Sequence, residues 1–243
     1  MQKVQQVSNN LTKRLMYEIR EGIFAGYTML PPEVDMATLF DVSRNVLREC
    51  LTCLEREGWI TRKHGVGTLI NRQAVRLKNR LDQTCGIKQS LVENGKTTDS
   101  DLVSVEHLTA TEEVAQKLEI RVGDPVLCVK QVFLGDGKPA IFCVDYIPER
   151  SIQNKAYDTD DLRSSIFDFL KQFCGISDIE TFITEVRALP ATKEEAEALH
   201  VPQNTPLLFL GETGYTLRSN PVIYSRVLYL DGVVNHTVIR KLI

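Results

Sequence analysis

Apolar positions recur every fourth residue between residues 9 and 24, at Leu11, Leu15, Ile19 and Ile23, with Lys13, Arg14 and Arg20 elsewhere on the surface. That spacing is one face of an α-helix, and Gly22, Gly26 and Tyr27 end it. Leu30-Pro31-Pro32-Glu33 opens a short second helix. Proline suits a first helical turn, and Glu33 and Asp35 favour the positive end of the helix dipole. Met36, Leu39 and Phe40 are its core positions before a break at Asp41-Val42. Ser43 caps a third helix that Gly58 ends. Val46, Cys50 and Leu54 form its apolar stripe, with Leu47 and Leu51 beside them. Trp59-Ile60-Thr61-Arg62 and Thr68-Leu69-Ile70-Asn71 then read as two short strands around Lys63-His64-Gly65-Val66-Gly67.

Residues 72–85 are polar and basic with little periodic signal, which predicts a linker between a first domain over residues 1–72 and a second over 86–243. Beyond it the pattern changes to β-branched and aromatic runs: VSVEHLTA, PVLCVKQVFLG, AIFCVDYIP, IETFITEVRAL, PLLFLGETGY and PVIYSRVLYL. These are strands, and residues 135–139, GDGKP, join two of them as a tight hairpin. Helical patterns fall at TEEVAQKLEI, LRSSIFDFLKQF and TKEEAEALHV, with Thr111 and Thr192 as N-caps before acidic first turns. ATEEVAQKLEIRVGDPVL and ATKEEAEALHVPQNTPLL each give a helix, a short link and a strand opening on proline. That likeness predicts pseudo-symmetric halves around one antiparallel sheet. The fold class expected is α+β.

At 243 residues the chain is long enough for two cores. No run approaches the ~18 apolar residues of a membrane span, and the N-terminus lacks the apolar stretch of a secretory signal, so the expected compartment is the cytoplasm. Six scattered cysteines, most in apolar runs, read as buried hydrophobes in a reducing compartment. Cys50-x-x-Cys53 lies inside a helical pattern with no second pair, and the four histidines have no ligand spacing, so neither a metal nor a cofactor is expected. Charge changes the picture most. Residues 1–80 carry 13 Lys and Arg against 8 Asp and Glu, a net of +5, whereas residues 81–243 carry 16 against 24, a net of −8. A basic first third joined to an acidic remainder is the balance of a DNA reader attached to a domain that does not touch DNA.

Arg44 and Arg48 lie four residues apart on the third helix, so they project from one face near its N-terminus, with Asn45 beside them. Such a group can read major-groove edges and clamp phosphates. By itself it can equally be a solvated charged face. The hairpin that follows, with glycines in its turn and cations at its tip, has the character of a wing. Residues 30–68, with LPPE, VSR-x-x-[VL]-R-E-x-L, EGWI and HG-x-GT, closely resemble the GntR-type winged helix-turn-helix. The resemblance implies that Arg44 and Arg48 contact DNA from the recognition helix and that His64 and Gly65 do so from the wing. Ser43, Asn45, Glu33, Lys63 and Gly67 complete the candidate set. Val34 stands where many members have arginine after the LPSE glutamate, and Asn45-Val46 replaces the common Thr-Thr.

The second half, from about Gly86 onward, resembles the UTRA effector-binding domain with its chorismate-lyase-like fold, through L-x-[IV]-x-x-GDPV, DGKP, DYIP, the SSIF segment, EEAEAL, TPLL and NPVIYSRVLY. The resemblance implies the HutC-type branch of the GntR family and a small-molecule effector. Members that take phosphosugars carry arginines at the positions of Gln131 and Phe133 and glutamates at those of Cys143 and Ile223. Losing two guanidiniums removes the bidentate phosphate clamp, which argues against a phosphosugar. Ser165 and Tyr229 stay close to the family pattern. Lys130, Asp145, Arg187, Glu212 and Arg226 are charges set among apolar residues, and buried charges need partners that a ligand can supply; surface placement explains the same alternation. The function expected is a sequence-specific, effector-controlled transcriptional regulator, a repressor, acting as a homodimer on a palindromic double-stranded operator. A constitutive dimeric DNA binder without effector is an alternative. So is an enzyme on the lyase-like fold, although no catalytic residues suggest one.

Overall fold

The computed structural model describes residues 2–83 and 86–240. The chain divides into two compact units, one running to Arg80 and taking in the described residues from Thr237, the other Leu81–His236.

In the first unit, helix α1 (Gln2–Arg20) buries Leu11, Leu15 and Ile19, the expected stripe. The fourth member fails: Ile23 is 53% exposed and Phe24 is buried in its place. The helix has already ended at Arg20, so its period no longer dictates which side chain points inward; Glu18 accepts a hydrogen bond from the Ile23 backbone as the chain turns. Helix α2 (Glu33–Leu39) buries Met36 and Ala37, and Phe40 follows, stacked edge-on against Phe24. Leu39, expected in the core, is exposed instead. Helix α3 (Arg44–Arg56) is capped by Ser43, whose Oγ accepts from the Val46 N–H at 3.3 Å, and it buries Leu47, Cys50, Leu51 and Leu54. Strands β1 (Ile60–Lys63) and β2 (Gly67–Ile70) pair antiparallel, from Ile60 opposite Ile70 to Lys63 opposite Gly67. Burying one such leucine is worth about 1.5–3 kcal/mol, and the stripe, Trp59 and Ile60 share a single core.

Residues 73–80, expected within a linker, are packed. Helix α4 (Arg72–Val75) buries Ala74 and Val75, and Arg72 donates to the Ile19 and Phe24 carbonyls. Asn79 and Arg80 are buried as well. Residues 84 and 85 of that stretch, and 241–243 of the predicted second domain, lie outside the described residues.

The second unit opens with helix α5 (Ile87–Glu93), which the sequence pattern did not predict. Six strands then form one antiparallel sheet: β3 (Thr98–Thr109), β4 (Pro125–Gly135), β5 (Lys138–Pro148), β6 (Ile179–Pro190), β7 (Pro206–Thr216) and β8 (Pro221–Leu230). Their order is β3-β4-β5-β8-β7-β6. The internal likeness explains that order. Helix α6 (Glu112–Leu118) links β3 to β4 as α9 (Lys193–Leu199) links β6 to β7, with Thr111 and Thr192 capping by side chain and Glu119 and His200 both left-handed at the ends. Each half therefore contributes three adjacent strands, and the halves meet where β5 pairs with β8. Helices α6 and α9 pack with one face of the sheet, against residues such as Phe142, Phe209, Tyr224 and Leu228. Helices α7 (Thr159–Ser164) and α8 (Ile166–Phe173) cover the other, over Leu127, Val129, Ile147 and Ile223. The run LRSSIFDFLKQF, expected as one helix, breaks at Ser165, which is extended and caps α8 through its Oγ to the Asp168 N–H.

Candidate DNA-reading surface and ligand cavity

The start of α3 presents Arg44, Asn45 and Arg48 to solvent. Their exposure follows from the stripe: with Leu47, Cys50, Leu51 and Leu54 committed to the core, these positions face outward. The capped first turn also leaves backbone N–H groups at the positive end of the dipole, where a phosphate binds well. Glu33, grouped with the candidate contacts, turns its carboxylate to Arg48 and accepts from Nε at 2.7 Å. A carboxylate repels phosphate, and this one is already bonded to the Arg48 guanidinium. Val34 is exposed beside it, without a charge.

Lys63, His64, Gly65 and Gly67 are all exposed at the tip of the hairpin, closed by Val66 N–H to the Lys63 carbonyl. Gly67 has φ +116, and a Cβ there would sit 2.9 Å from Met29 Cε, so the turn requires glycine. Arg62 anchors the base of the wing. Its backbone and Nε both donate to the Glu55 carboxylate, at 2.7 and 2.8 Å, and its Nη2 donates to Thr52 Oγ1 at 2.9 Å. The wing is thereby fixed to α3, a clamp that charge pattern did not reveal because Glu55 and Arg62 belong to different elements.

A cavity of about 150 Å³ opens on the α7–α8 side of the sheet. Strand residues make its floor: Gln131, Cys143, Asp145, Glu212 and Ser225, with Phe133 and Val227. Gly86, Ile87 and Lys88 at the start of α5, and Ser165, Ile166 and Phe167 at the start of α8, make its walls, with Phe182 edge-on to Phe167.

Of the seven residues proposed for the effector, three meet there: Asp145, Ser165 and Glu212. Lys130, Arg187 and Arg226 do not. Side chains alternate faces along a strand, and in the observed register Lys130 and Arg226 share the row of Val144, while Asp145 shares that of Val129 and Ser225. The three cations therefore lie on the α6–α9 face. There Lys130 pairs with Glu194 and Glu106, Arg226 with Glu113, and both arginines stack over Phe209. Tyr229 is on the cavity's face but buried beyond it, edge-on to His236. Of the four positions at which phosphosugar binders carry charge, Gln131, Phe133 and Cys143 line the cavity and Ile223 is buried in the core.

Asp145 is 3% exposed, with Oδ1 accepting from Ser225 Oγ and Oδ2 from the Cys143 thiol at 3.6 Å. Burial raises its carboxyl from 3.8 to about 6, against the pull of those two donors. Half-buried Glu212 is raised too, first by burial and then by the Asp145 charge, while its hydrogen bond from Thr184 Oγ1 opposes. Full burial and the same carboxylates hold the Cys143 thiol far above its ordinary range, so it stays protonated. The described residues contain no group of three or more potential metal-ligating side chains.

Residues 7–70 match the family described as bacterial regulatory proteins, gntR family, and residues 93–231 match the UTRA domain. Over 207 residues the chain is 30% identical to the HTH-type transcriptional regulator GgaR of Escherichia coli (strain K12), covering 85% of this chain and 80% of the relative. It is 24% identical over 219 residues to the HTH-type transcriptional repressor NagR of Bacillus subtilis (strain 168), covering 90% and 88%. The crystal structure of the possible transcriptional regulator YydK from Bacillus subtilis superposes with a TM-score of 0.74 at 19% identity, over 96% of this chain and all of that one. The winged helix, the sheet domain and their order along one chain agree with these matches: the chain belongs to the GntR family, as a DNA-binding transcriptional regulator of the branch that carries a UTRA domain.

Proposed function

We propose that this chain is a cytoplasmic repressor that binds a palindromic operator as a homodimer and changes its operator affinity when a small molecule occupies the sheet cavity. The observation that carries the DNA half is the group Arg44, Asn45 and Arg48 on the capped start of α3, beside a wing clamped by Arg62 to Glu55. Arg44 and Arg48 read base edges or phosphates, Ser43 and the first-turn amides hold a phosphate, and Lys63, His64, Gly65 and Gly67 bring the wing tip against the backbone or minor groove. Glu33 acts through Arg48. A twofold dimer places two such heads on half-sites about one helical turn apart.

The ligand half rests on Asp145, Ser165 and Glu212 converging in one cavity. An effector acts only through differential affinity for the DNA-competent and DNA-incompetent states. Binding, rather than catalysis, suits the cavity's chemistry. Its thiol is held protonated, and its serine hydroxyls at 165 and 225 have no histidine among the lining residues to activate them. The test is equilibrium binding of the full chain to its operator at matched salt. Arg44→Ala and Arg48→Ala should each weaken it by about 1–3 kcal/mol; unchanged affinity in both removes α3 as the reading helix.

A further inference from the structure

The sheet of the second unit sorts its charges by face. The cations of its central and neighbouring strands, Lys130 and Arg226, are neutralised on the α6–α9 side by Glu194 and Glu113. On the cavity side the polarity is reversed. Asp145 on β5 and Glu212 on β7 each pair in register with Ser225 on β8, so the two carboxylates flank it in one row. Neither has an ion-pair partner among the described residues.

The hydrogen-bond inventory points the same way. An ionised carboxylate offers about four acceptor sites, yet Asp145 receives two donors, one a weak thiol, and Glu212 receives one. Ser225, Cys143 and Thr184 have already committed their protons to these carboxylates. Gln131 has committed its amide to the Leu162 and Arg163 carbonyls at 3.1 and 3.4 Å, which leaves it a carbonyl oxygen. The floor of the cavity is therefore a set of acceptors without donors. Donors lie on the helical walls, at the Lys88 ammonium, the Ser165 hydroxyl and the first-turn backbone amides of α5 and α8, across the cavity from the two carboxylates. A buried carboxylate without a counter-ion is unfavourable by several kcal/mol, and the molecule that enters can supply what is missing.

We infer that the effector is a small organic cation, an ammonium or amidinium compound whose charged nitrogen sits between Asp145 and Glu212 and whose apolar body lies against Phe133, Phe167 and Phe182. A bare metal ion would leave the rings of Phe133, Phe167 and Phe182 without a partner, whereas an organic cation covers them. A phosphosugar would bring its anion to a floor that already holds two. The inference rests on the cavity being the effector site, and it names the chemistry that site selects. A neutral polyol could donate to both carboxylates but would leave their charge uncompensated.

The test is isothermal titration calorimetry on the full-length chain without DNA at pH 7.5, with benzylamine, benzyl alcohol and benzoate as probes that share one apolar body. Benzylamine should bind at millimolar concentration or better, and the alcohol and the acid at least tenfold more weakly. Glu212→Gln, and separately Asp145→Asn, should each weaken benzylamine at least tenfold while a thermal melt shows both variants folded. Absence of benzylamine binding, equal or tighter binding of the alcohol or benzoate, or an unchanged affinity in both folded variants would each overturn the inference. Because binding is read without DNA, benzylamine that binds and leaves operator affinity unchanged removes the proposed regulation and retains the cation site.

Discussion

Replacing Asp145 by asparagine should stabilise the ligand-free protein, the opposite of what removing a hydrogen-bonded buried residue ordinarily does. The magnitude follows from the carboxyl itself. Its rise from 3.8 to about 6 on folding corresponds to about 3 kcal/mol at pH values above both. Below about 4 the group is neutral in folded and unfolded chains alike and contributes nothing. Between about 4 and 6 the unfolded chain ionises while the folded one does not, so stability falls; above about 6 the loss is complete. Asparagine keeps an oxygen to accept from Ser225, carries no charge and relieves Glu212 of its neighbour. The gain expected at pH 8 is about 1–3 kcal/mol, and a domain of this size melts about 2–4 °C higher per kcal/mol. Calorimetric melts of the full chain and the variant at pH 8, 6 and 4 read it directly, with the difference shrinking toward pH 4. Glu212, Cys143 and Lys88 are the other ionisable side chains lining the cavity, and Lys88, on the α5 wall, forms no ion pair with Asp145. Glu212 is raised in the same sense, and the Cys143 thiol stays protonated throughout the range, so neither reverses the sign. A variant that melts lower than the parent at pH 8, by an amount independent of pH, would refute the reasoning.

Other consequences are simpler to state. Lys130→Met and Arg226→Met should leave cavity binding unchanged in titration calorimetry, since both side chains serve the opposite face of the sheet. Glu33→Gln should lower operator affinity several-fold in fluorescence anisotropy, without weakening binding to random duplex, and should change stability by no more than about 1 kcal/mol because the pair is exposed. Arg62→Ala should release the wing from Glu55, seen as faster amide exchange in residues 60–70 together with weaker operator binding. Gly67→Ala should destabilise the first unit by about 1–3 kcal/mol in a denaturant melt, from the positive-φ backbone, since the Met29 methyl 2.9 Å away can swing aside.

The elements that were legible in the sequence are those whose own periodicity is long enough to define a face. The α3 stripe, its Ser43 cap and every strand of the large sheet fall where the pattern puts them. The duplicated helix–link–strand segment even anticipates the pseudo-symmetric strand order. Two misplacements came at ends, where period stops applying: Ile23 lies past the last turn of α1 and Leu39 closes α2; a third came inside an expected helix, where extended Ser165 caps α8 and splits the run in two. The cavity was harder to read for a different reason. Charge within a strand announces itself, but its face depends on register with strands distant in the chain. Parity along β4 and β5 separates Lys130 from Asp145, yet only the pairing of β5 and β7 with β8 brings Asp145 and Glu212 to the same serine. Short α5 has too few residues to show a period, so Lys88 carried no signal.

The proposed function requires α3 to read DNA sequence. Selection of bound duplexes from a random pool, run in parallel with the parent chain, Arg44→Ala and Arg48→Ala, tests that most directly. The parent should enrich an inverted repeat with half-sites about one helical turn apart, and each variant should lose preference at a base position in both halves while keeping the others. No enriched motif from the parent, or the same motif with undiminished preference from both variants, would contradict it.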